Sequence, residues 1–251
     1  MSDHRRSYYR ALSLWFHFWQ VFLGFFLSLA AIFMTYLDPS RKLAHRIPRF
    51  WSIFLLKVAR CPLTVEGLEH LKPGQNYVFV ANHRSAFDIY AVLAAIPFQF
   101  LFVAKHSLFL IPLFGQALAR MGYVAIERGR RQEAIRSLNE ATAKVQAGAS
   151  MLIFPEGTRG TTRELLPFKK GVFIMALKAG KPVVPLVING TMRIQPPGSF
   201  LIRPNPIQVI FCPPIDPTTF RRKEELMEAV RQAIAARFNP DYPDAPGSLA
   251  E

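Results

Sequence analysis

The sequence predicts an α/β fold in which helices flank a mixed sheet, preceded by a two-helix segment that inserts into a membrane. The 251 residues are enough for one sizeable core with an appendage. From residue 61 onward, short apolar runs alternate with helical patterns, whereas the first 60 residues hold a long aromatic stretch. We therefore assign 1–60 to a membrane-binding helical hairpin, 61–238 to an α/β domain, and 239–251 to a loosely ordered tail.

The N-terminal segment is the most apolar part of the chain. Between Ala11 and Leu37 there is no Asp, Glu, Lys or Arg, and nine aromatic side chains lie in this stretch. As a helix it would be about 40 Å long, enough to cross the hydrocarbon core of a bilayer. The run is too long and too aromatic for a signal peptide, and no small-residue cleavage site follows it. We therefore predict a membrane-bound segment.

The basic residues around this segment indicate whether it spans the membrane or lies in one leaflet. They flank it on both sides: Arg5, Arg6 and Arg10 before it, and Arg41, Lys42, Arg46 and Arg49 after it. Positive charge at both ends conflicts with a single span under the positive-inside rule. A second apolar stretch, 50–56, is too short to cross alone. A hairpin in one leaflet is favoured, with its basic flanks on anionic lipid at the cytoplasmic face of the inner membrane; a single span is the alternative.

Regular secondary structure follows in the order that an α/β fold requires. Strands are predicted at 63–66, 77–82, 98–104, 122–126, 151–154, 183–188 and 207–212. Helices are predicted at about 86–96, 107–120, 131–147, 169–179 and 221–237.

Composition excludes several functional classes. The net charge is +14, and half of it lies in residues 1–60, where it is +7. No recognition-helix or RNA-binding signature accompanies this charge, so we predict no nucleic-acid partner. Cys61 and Cys212 have no metal-ligand spacing and the six histidines form no zinc pattern. We predict a reducing compartment and neither a metal nor another cofactor.

The strongest chemical signal is a histidine and an aspartate at the end of an apolar strand. His83 follows Asn82 directly, and Asp88 comes five residues later. Histidine titrates near neutral pH, so it can accept a proton from a hydroxyl, and a carboxylate on its other ring nitrogen would fix the tautomer. The two side chains can meet if His83 lies in the turn after the strand and Asp88 in the first turn of the next helix. Alternatively, Ser85 and Asp88 form a capping box.

Cations are predicted at other strand ends, where ligands collect in α/β sheets: Lys105, Arg128 and Arg159. Converging cations beside a base suit an anionic substrate, because guanidinium groups match phosphate geometry. The alternative for each one is a solvated surface charge. There is no Gly-x-Ser-x-Gly elbow and no P-loop, so the favoured role of His83 is to activate a substrate hydroxyl.

Four segments occur in a fixed order: Asn-His-x4-Asp from Asn82, Gly-x3-Ile-x-Arg from Gly122, Phe-Pro-Glu-Gly-Thr-Arg from Phe154, and Val-Pro-x-x-Ile from Val184. Together they resemble the glycerolipid acyltransferase family, most closely its bacterial 1-acyl-sn-glycerol-3-phosphate acyltransferases, over about residues 60 to 215. Two positions depart from the family pattern: Ala125 stands where Phe is common, and Gly160 where Ser is common.

The resemblance implies a glycerol-3-phosphate acyltransferase-like fold and transfer of an acyl group from a thioester to the sn-2 hydroxyl of lysophosphatidate. It implies that His83 is the base and that Asp88 orients it. It assigns six further residues to substrate binding: Lys105, Arg128, Glu156, Gly157, Thr158 and Arg159. The implied donor is an acyl-acyl carrier protein or acyl-coenzyme A.

Three other functions remain open from the sequence. A related acyltransferase could use glycerol 3-phosphate or a lyso-aminolipid as acceptor. A non-catalytic membrane-binding protein could use the basic surface alone. A hydrolase could use the same His-Asp pair on water and would release free acid without an acceptor.

Overall fold

The computed structural model describes residues 3–127 and 129–243. Two N-terminal helices, α1 (Asp3–Leu37) and α2 (Lys42–Val58), precede the α/β domain. Its strands are β1 (Leu63–Glu66), β2 (Val78–Ala81), β3 (Leu101–Lys105), β4 (Val124–Ile126), β5 (Met151–Ile153), β6 (Val183–Asn189) and β7 (Ile207–Phe211). Its helices are α3 (Phe87–Ala95), α4 (His106–Phe109), α5 (Phe114–Arg120), α6 (Arg131–Gln146), α7 (Lys170–Ala179), α8 (Thr191–Ile194) and α9 (Lys223–Ala235).

The strands form one mixed sheet in the order β1-β7-β6-β2-β5-β3-β4, which confirms the predicted fold class. Neighbouring strands are parallel except for β6 and β7. Strand β2 lies between β5 and β6, with Val78 in register with Met151 on one side and Val183 on the other. Because these three strands run in the same direction, the loops that leave them meet at one edge of the sheet, and that edge carries the site described below.

The central strands are buried on both faces. Every residue of β2, β5 and β6 is buried, as expected for parallel strands covered by helices on both sides. Their sequences are therefore continuous apolar runs rather than alternating patterns. Each of the seven predicted strands is present in the structure.

One predicted helix is wrong. The helix expected at 107–120 is divided into α4 and α5, because Pro112 and Leu113 interrupt it. Leu113 has φ 61° and ψ −52°, a conformation that an α-helix does not contain. The four-residue helix α8, after β6, was not predicted.

Helices α1 and α2 form an antiparallel hairpin that packs on the α/β domain. Asp38 closes the turn between them, since its side chain accepts hydrogen bonds from the backbone N–H groups of Ser40 (3.0 Å) and Leu43 (2.9 Å). Phe16 of α1 stacks on Phe87 of α3, with ring centroids 5.2 Å apart. The first part of α1 is therefore fixed to the domain. The division of the chain at residue 60 stays a prediction.

The rest of α1 exposes apolar side chains on one side, such as Phe22, Phe26 and Phe33, while Ala31 is buried. Among the described residues, this is the one helix long and apolar enough to cross a membrane, with a mean hydropathy of 1.9 over an 18-residue window. Only 11% of that window is buried. A core helix of a soluble protein would be mostly buried, so this helix could anchor the chain to a membrane.

Candidate active site

His83 and Asp88 are in direct contact. His83 lies in the loop after β2 and Asp88 in the first turn of α3, which is the geometry that the sequence required. His83 Nδ1 is 2.7 Å from Asp88 Oδ2. His83 is 7% exposed and Asp88 is fully buried. Because the carboxylate holds Nδ1 as the N–H, the imidazole presents Nε2 as a hydrogen-bond acceptor.

Asp88 is held by more than the histidine. Its Oδ2 also accepts hydrogen bonds from the backbone N–H groups of Arg84 (2.6 Å) and Ser85 (2.8 Å). The capping interpretation is thus also correct in part, because the same carboxylate orders the loop at the start of α3. Ser85 Oγ, for its part, accepts from Phe87 N–H at 3.2 Å. The Asp88 carboxylate thereby fixes both the imidazole of His83 and the loop that carries it.

Thr191 completes the environment of Asp88. Its Oγ1 donates to Asp88 Oδ1 at 2.5 Å, and the residue is almost fully buried. Thr191 begins α8 after β6, which lies beside β2 in the sheet. The sequence analysis missed this residue. The available signal was its place three residues after the Val-Pro-x-x-Ile segment, just beyond the end of the strand.

Asn82 fixes the direction in which the chain leaves β2. Its side-chain Nδ2 donates to the carbonyl oxygen of Ile188, and its Oδ1 accepts from Ile188 N–H, both at 2.8 Å. The amide thus pairs with the β6 backbone in the way that another strand residue would. This pairing places His83 at a fixed position beyond the sheet edge.

Glu156 is buried against the backbone of His83. Its Oε1 accepts from the backbone N–H of His83 at 2.7 Å, and its Oε2 accepts from Leu166 N–H at 3.1 Å. Burial raises the pKa of the Glu156 carboxyl, while these two hydrogen bonds and the charge of Arg84 oppose the shift. Glu156 thus braces the loop that carries the histidine, and its part in substrate binding stays a prediction.

Arg84 is a buried cation that the sequence analysis did not single out. It is 2% exposed; its Nη1 donates to the carbonyl oxygen of Thr162 at 2.8 Å and its Nη2 to that of Glu164. Burial lowers the pKa of its guanidinium, and the carboxylates of Glu156 and Asp88 oppose this. Arg84 thus ties the loop after β5 to the loop after β2.

The position of Arg84 explains one departure from the family pattern. A Cβ atom added at Gly160 would lie 2.1 Å from Arg84 Nη1, so a serine there would collide with the guanidinium. Gly160 N–H also donates to the carbonyl oxygen of His83 at 2.9 Å. In this chain Gly160 leaves space for the guanidinium of Arg84, which connects the loop after β5 to the loop after β2.

A cavity of about 590 Å³ opens beside His83. It lies between the hairpin, α3, α5 and the end of β3, and most of its lining is apolar, including Val21, Trp51 and Leu93. One face of the imidazole is covered by Phe154, whose ring is stacked 4.0 Å away. The shape and lining suit a long aliphatic chain that ends at the histidine.

Two of the predicted cations line the same cavity as His83. Lys105 and Arg159 are both exposed and contribute to its wall, and in the described part of the chain neither forms an ion pair. Gly157 and Thr158 do not line the cavity; Gly157 has φ +70° and permits the turn before Arg159. Arg128 lies outside the described residues. Over residues 3–127 and 129–243, no group of three or more His, Cys, Asp or Glu is arranged to hold a metal ion.

The family follows from a comparison with known proteins. The model of the acyltransferase family matches residues 62–189, which include His83, Asp88, Lys105 and Arg159. This chain belongs to the acyltransferase family. Named relatives are 1-acyl-sn-glycerol-3-phosphate acyltransferases: one from Chlamydomonas reinhardtii is 34% identical over 210 residues, and one from Cocos nucifera is 39% identical over 185 residues. These alignments cover 81% and 73% of this chain.

The chain spans about three fifths of the length of these relatives, 61% and 59% respectively. A solved structure matches more completely. The crystal structure of the 1-acyl-sn-glycerophosphate acyltransferase PlsC from Thermotoga maritima superposes with a TM-score of 0.82 at 28% identity. The match covers 92% of this chain and 95% of that one. The hairpin, the sheet and the site edge thus belong to a fold shared over nearly the full length of both chains.

Proposed function

We propose that this acyltransferase moves a fatty acyl group from an acyl thioester to the sn-2 hydroxyl of lysophosphatidate, which gives phosphatidate. One observation carries the proposal: His83, held by Asp88, shares one apolar cavity with Lys105 and Arg159, two exposed cations. A base, two cations and an apolar chamber match the three parts of lysophosphatidate, its hydroxyl, phosphate and acyl chain. The names of the relatives and of the structural neighbour support this assignment.

His83 acts as general base in this mechanism. Asp88 holds Nδ1–H, so the lone pair of Nε2 accepts the proton of the sn-2 hydroxyl while its oxygen attacks the thioester carbonyl. The carbon–sulfur bond breaks as the tetrahedral intermediate collapses, and the imidazolium returns the proton to the leaving thiolate. General base catalysis contributes about 10²- to 10⁴-fold, and holding hydroxyl and thioester in register supplies much of the rest.

Lys105 and Arg159 bind the phosphate of the acceptor. Lys105 ends β3 and Arg159 lies in the loop after β5, and both are on the wall of the cavity that His83 lines. Arg159 can form two parallel hydrogen bonds to phosphate, and Lys105 adds a point charge. Arg128 is proposed for the same pocket from the sequence alone.

In this proposal the hairpin holds the site at the membrane. One side of α1 is packed on the rest of the protein up to the end of the helix, since Ala31 is buried and Arg120 of α5 lies over the Tyr36 ring, 4.5 Å from its centroid. The other side exposes apolar side chains, so we favour insertion of that side into one leaflet. The basic flanks then rest on anionic lipid, at the cytoplasmic face of the cell membrane. The donor, acyl carrier protein or coenzyme A, arrives from the aqueous side.

Acceptor competition tests the substrate assignment. Purified protein in detergent is given a labelled acyl thioester with lysophosphatidate, glycerol 3-phosphate, a lyso-aminolipid or 1-acylglycerol. We expect labelled phosphatidate from lysophosphatidate, and product from the other acceptors at least ~100-fold more slowly, because each lacks either the phosphate or the acyl chain. Equal or faster reaction with any of the other three acceptors would overturn the assignment.

A further inference from the structure

The end of α4 and the turn after it expose three apolar side chains close together in the sequence. Leu108 is 38% exposed, Leu110 69% and Ile111 45%. Single exposed apolar residues are ordinary on a soluble surface, but three within four positions form a patch. We call these three side chains the apolar wedge.

The wedge sits on a rigid and strained backbone. Leu113 has φ 61° and ψ −52°, and Phe114 N–H donates to the carbonyl oxygen of Pro112 at 2.7 Å, which closes a three-residue turn. A Cβ atom added at Gly115 would lie 2.0 Å from the carbonyl oxygen of Phe109, so only glycine fits this close approach. A non-glycine residue at positive φ persists only where its surroundings hold it. The strained turn at Leu113 therefore holds the wedge side chains at the protein surface.

The wedge lies beside the exposed face of α1. Leu108 and Ile111 line the same cavity as Val21 and Phe25 of α1. Val21 is 71% exposed and Phe25 50%, so apolar surface continues from α1 across the cavity opening to the wedge. Lys105, three residues before Leu108, is exposed and lines the same cavity, so a cation lies near this apolar surface.

We propose that the apolar wedge inserts into the same lipid leaflet as the hairpin, as a second membrane contact made by the α/β domain itself. The occupant is the acyl-chain region of a phospholipid leaflet, because the patch continues the surface that α1 presents to the membrane. The proposal rests on the membrane attachment by α1 given above and extends it. Residues of both contacts line the cavity, so together they would hold it against the leaflet.

Spin labels measure the depth of the wedge directly. Leu110→Cys is compared with Phe26→Cys on α1 and with Gln132→Cys on the exposed side of α6, in vesicles of phosphatidylglycerol and phosphatidylethanolamine. Cys61 and Cys212 are buried, so unmodified protein should take up no label. We expect labels at 110 and 26 to collide with oxygen more than with an aqueous nickel chelate, and the label at 132 to show the reverse.

Two other results would count against the proposal in different ways. If the label at 26 is protected from the chelate and that at 110 is not, the wedge is wrong and the hairpin anchor stands. If both labels meet the chelate freely, the membrane attachment of α1 fails as well. Neither result bears on acyl transfer, which is measured separately in detergent.

A charge in the wedge gives a functional test. Leu110 does not line the cavity, so Leu110→Glu should leave activity on a water-soluble short-chain lysophosphatidate unchanged. On long-chain lysophosphatidate in vesicles we expect at least a 10-fold loss, whereas Ile174→Glu, an exposed apolar position on α7, should lose less than 2-fold. Equal losses on both substrates, or none on vesicles, would overturn the proposal.

Discussion

Thr191 donates a hydrogen bond to the oxygen of Asp88 that does not face His83. The carboxylate is thus held from two sides, by a hydroxyl on Oδ1 and by the imidazole and two backbone N–H groups on Oδ2. A carboxylate fixed in this way cannot rotate away from the imidazole. Thr191 is therefore a positioning residue that acts on His83 through Asp88.

Removing the hydroxyl of Thr191 should slow the reaction. We expect Thr191→Val, which keeps the shape, to lower kcat by about 10- to 100-fold, because a hydrogen bond to a charged group is worth about 1.5–3 kcal/mol. Thr191→Ser retains the donor and should stay within about 3-fold of the parent. The measurement is kcat and KM for both variants beside their melting temperatures. A loss as large in the serine variant would contradict the positioning role.

The charge of Asp88 should matter apart from its shape. In Asp88→Asn the amide oxygen can still accept from the histidine and the loop amides, and the amide nitrogen can donate to Thr191. What is lost is the negative charge that stabilises the imidazolium, so we expect kcat to fall by about 10²- to 10⁴-fold. A variant that folds normally and keeps a tenth of the parent activity would show that the charge is not required.

Lys105 and Arg159 should act on binding of the acceptor. Lys105→Ala and Arg159→Ala are each expected to raise KM for lysophosphatidate by about 10- to 100-fold, since each removes a charged hydrogen-bond donor. Lys178→Ala, at an exposed position on α7, is the matched control and should change nothing. If the two variants also lose the slow reaction with 1-acylglycerol, which has no phosphate, their role is not phosphate binding.

Gly160 and Arg84 should be energetically coupled. Gly160→Ser places a side chain where the guanidinium lies, so we expect it to lower the free energy of unfolding by about 1–3 kcal/mol. In an Arg84→Ala background the same substitution should cost less than about 0.5 kcal/mol, because the obstacle is gone. Urea unfolding of the four proteins in the cycle measures this. Additive effects would mean that the two residues do not interact.

The buried thiol of Cys61 should make the fold sensitive to alkali. Burial raises its pKa from 9.0 to about 11, so the unfolded chain releases the proton at a lower pH than the native protein does. The contribution of this group to stability is complete below pH ~9 and declines as pH rises, by about 2 kcal/mol at pH 11. Urea unfolding at pH 8 and pH 10.5 should show a smaller decline in Cys61→Ala than in the parent. An equal decline in both would contradict the assignment.

Local sequence patterns were enough to predict the strands and the contact between His83 and Asp88. Buried strands are continuous apolar runs, and the strand–turn–helix geometry around Asn82 is set within a dozen residues. Pro112 also marked the break between α4 and α5, because the residue before a proline avoids the helical conformation. A single helix was nevertheless predicted at 107–120, because the residues around Pro112 form an apolar run.

The supporting residues depended on contacts between distant segments. Thr191 reaches Asp88 only because β6 lies next to β2, and Glu156 reaches the backbone of His83 only because β5 lies on its other side. The order of strands in this mixed sheet cannot be predicted from any single segment of the sequence. The apolar runs therefore predicted the strands, while the roles of Thr191, Glu156 and Arg84 required the fold.

The central claim is that His83 activates a hydroxyl of the acceptor. It is tested most directly by release of thiol from an acyl thioester, measured with and without lysophosphatidate, for the parent and His83→Ala at equal concentrations. We predict that the parent releases thiol only when lysophosphatidate is present, in equal amount to the phosphatidate formed, and that His83→Ala releases none above background. Release by the parent without an acceptor would show a hydrolase, and undiminished release by His83→Ala would show that this histidine is not the base.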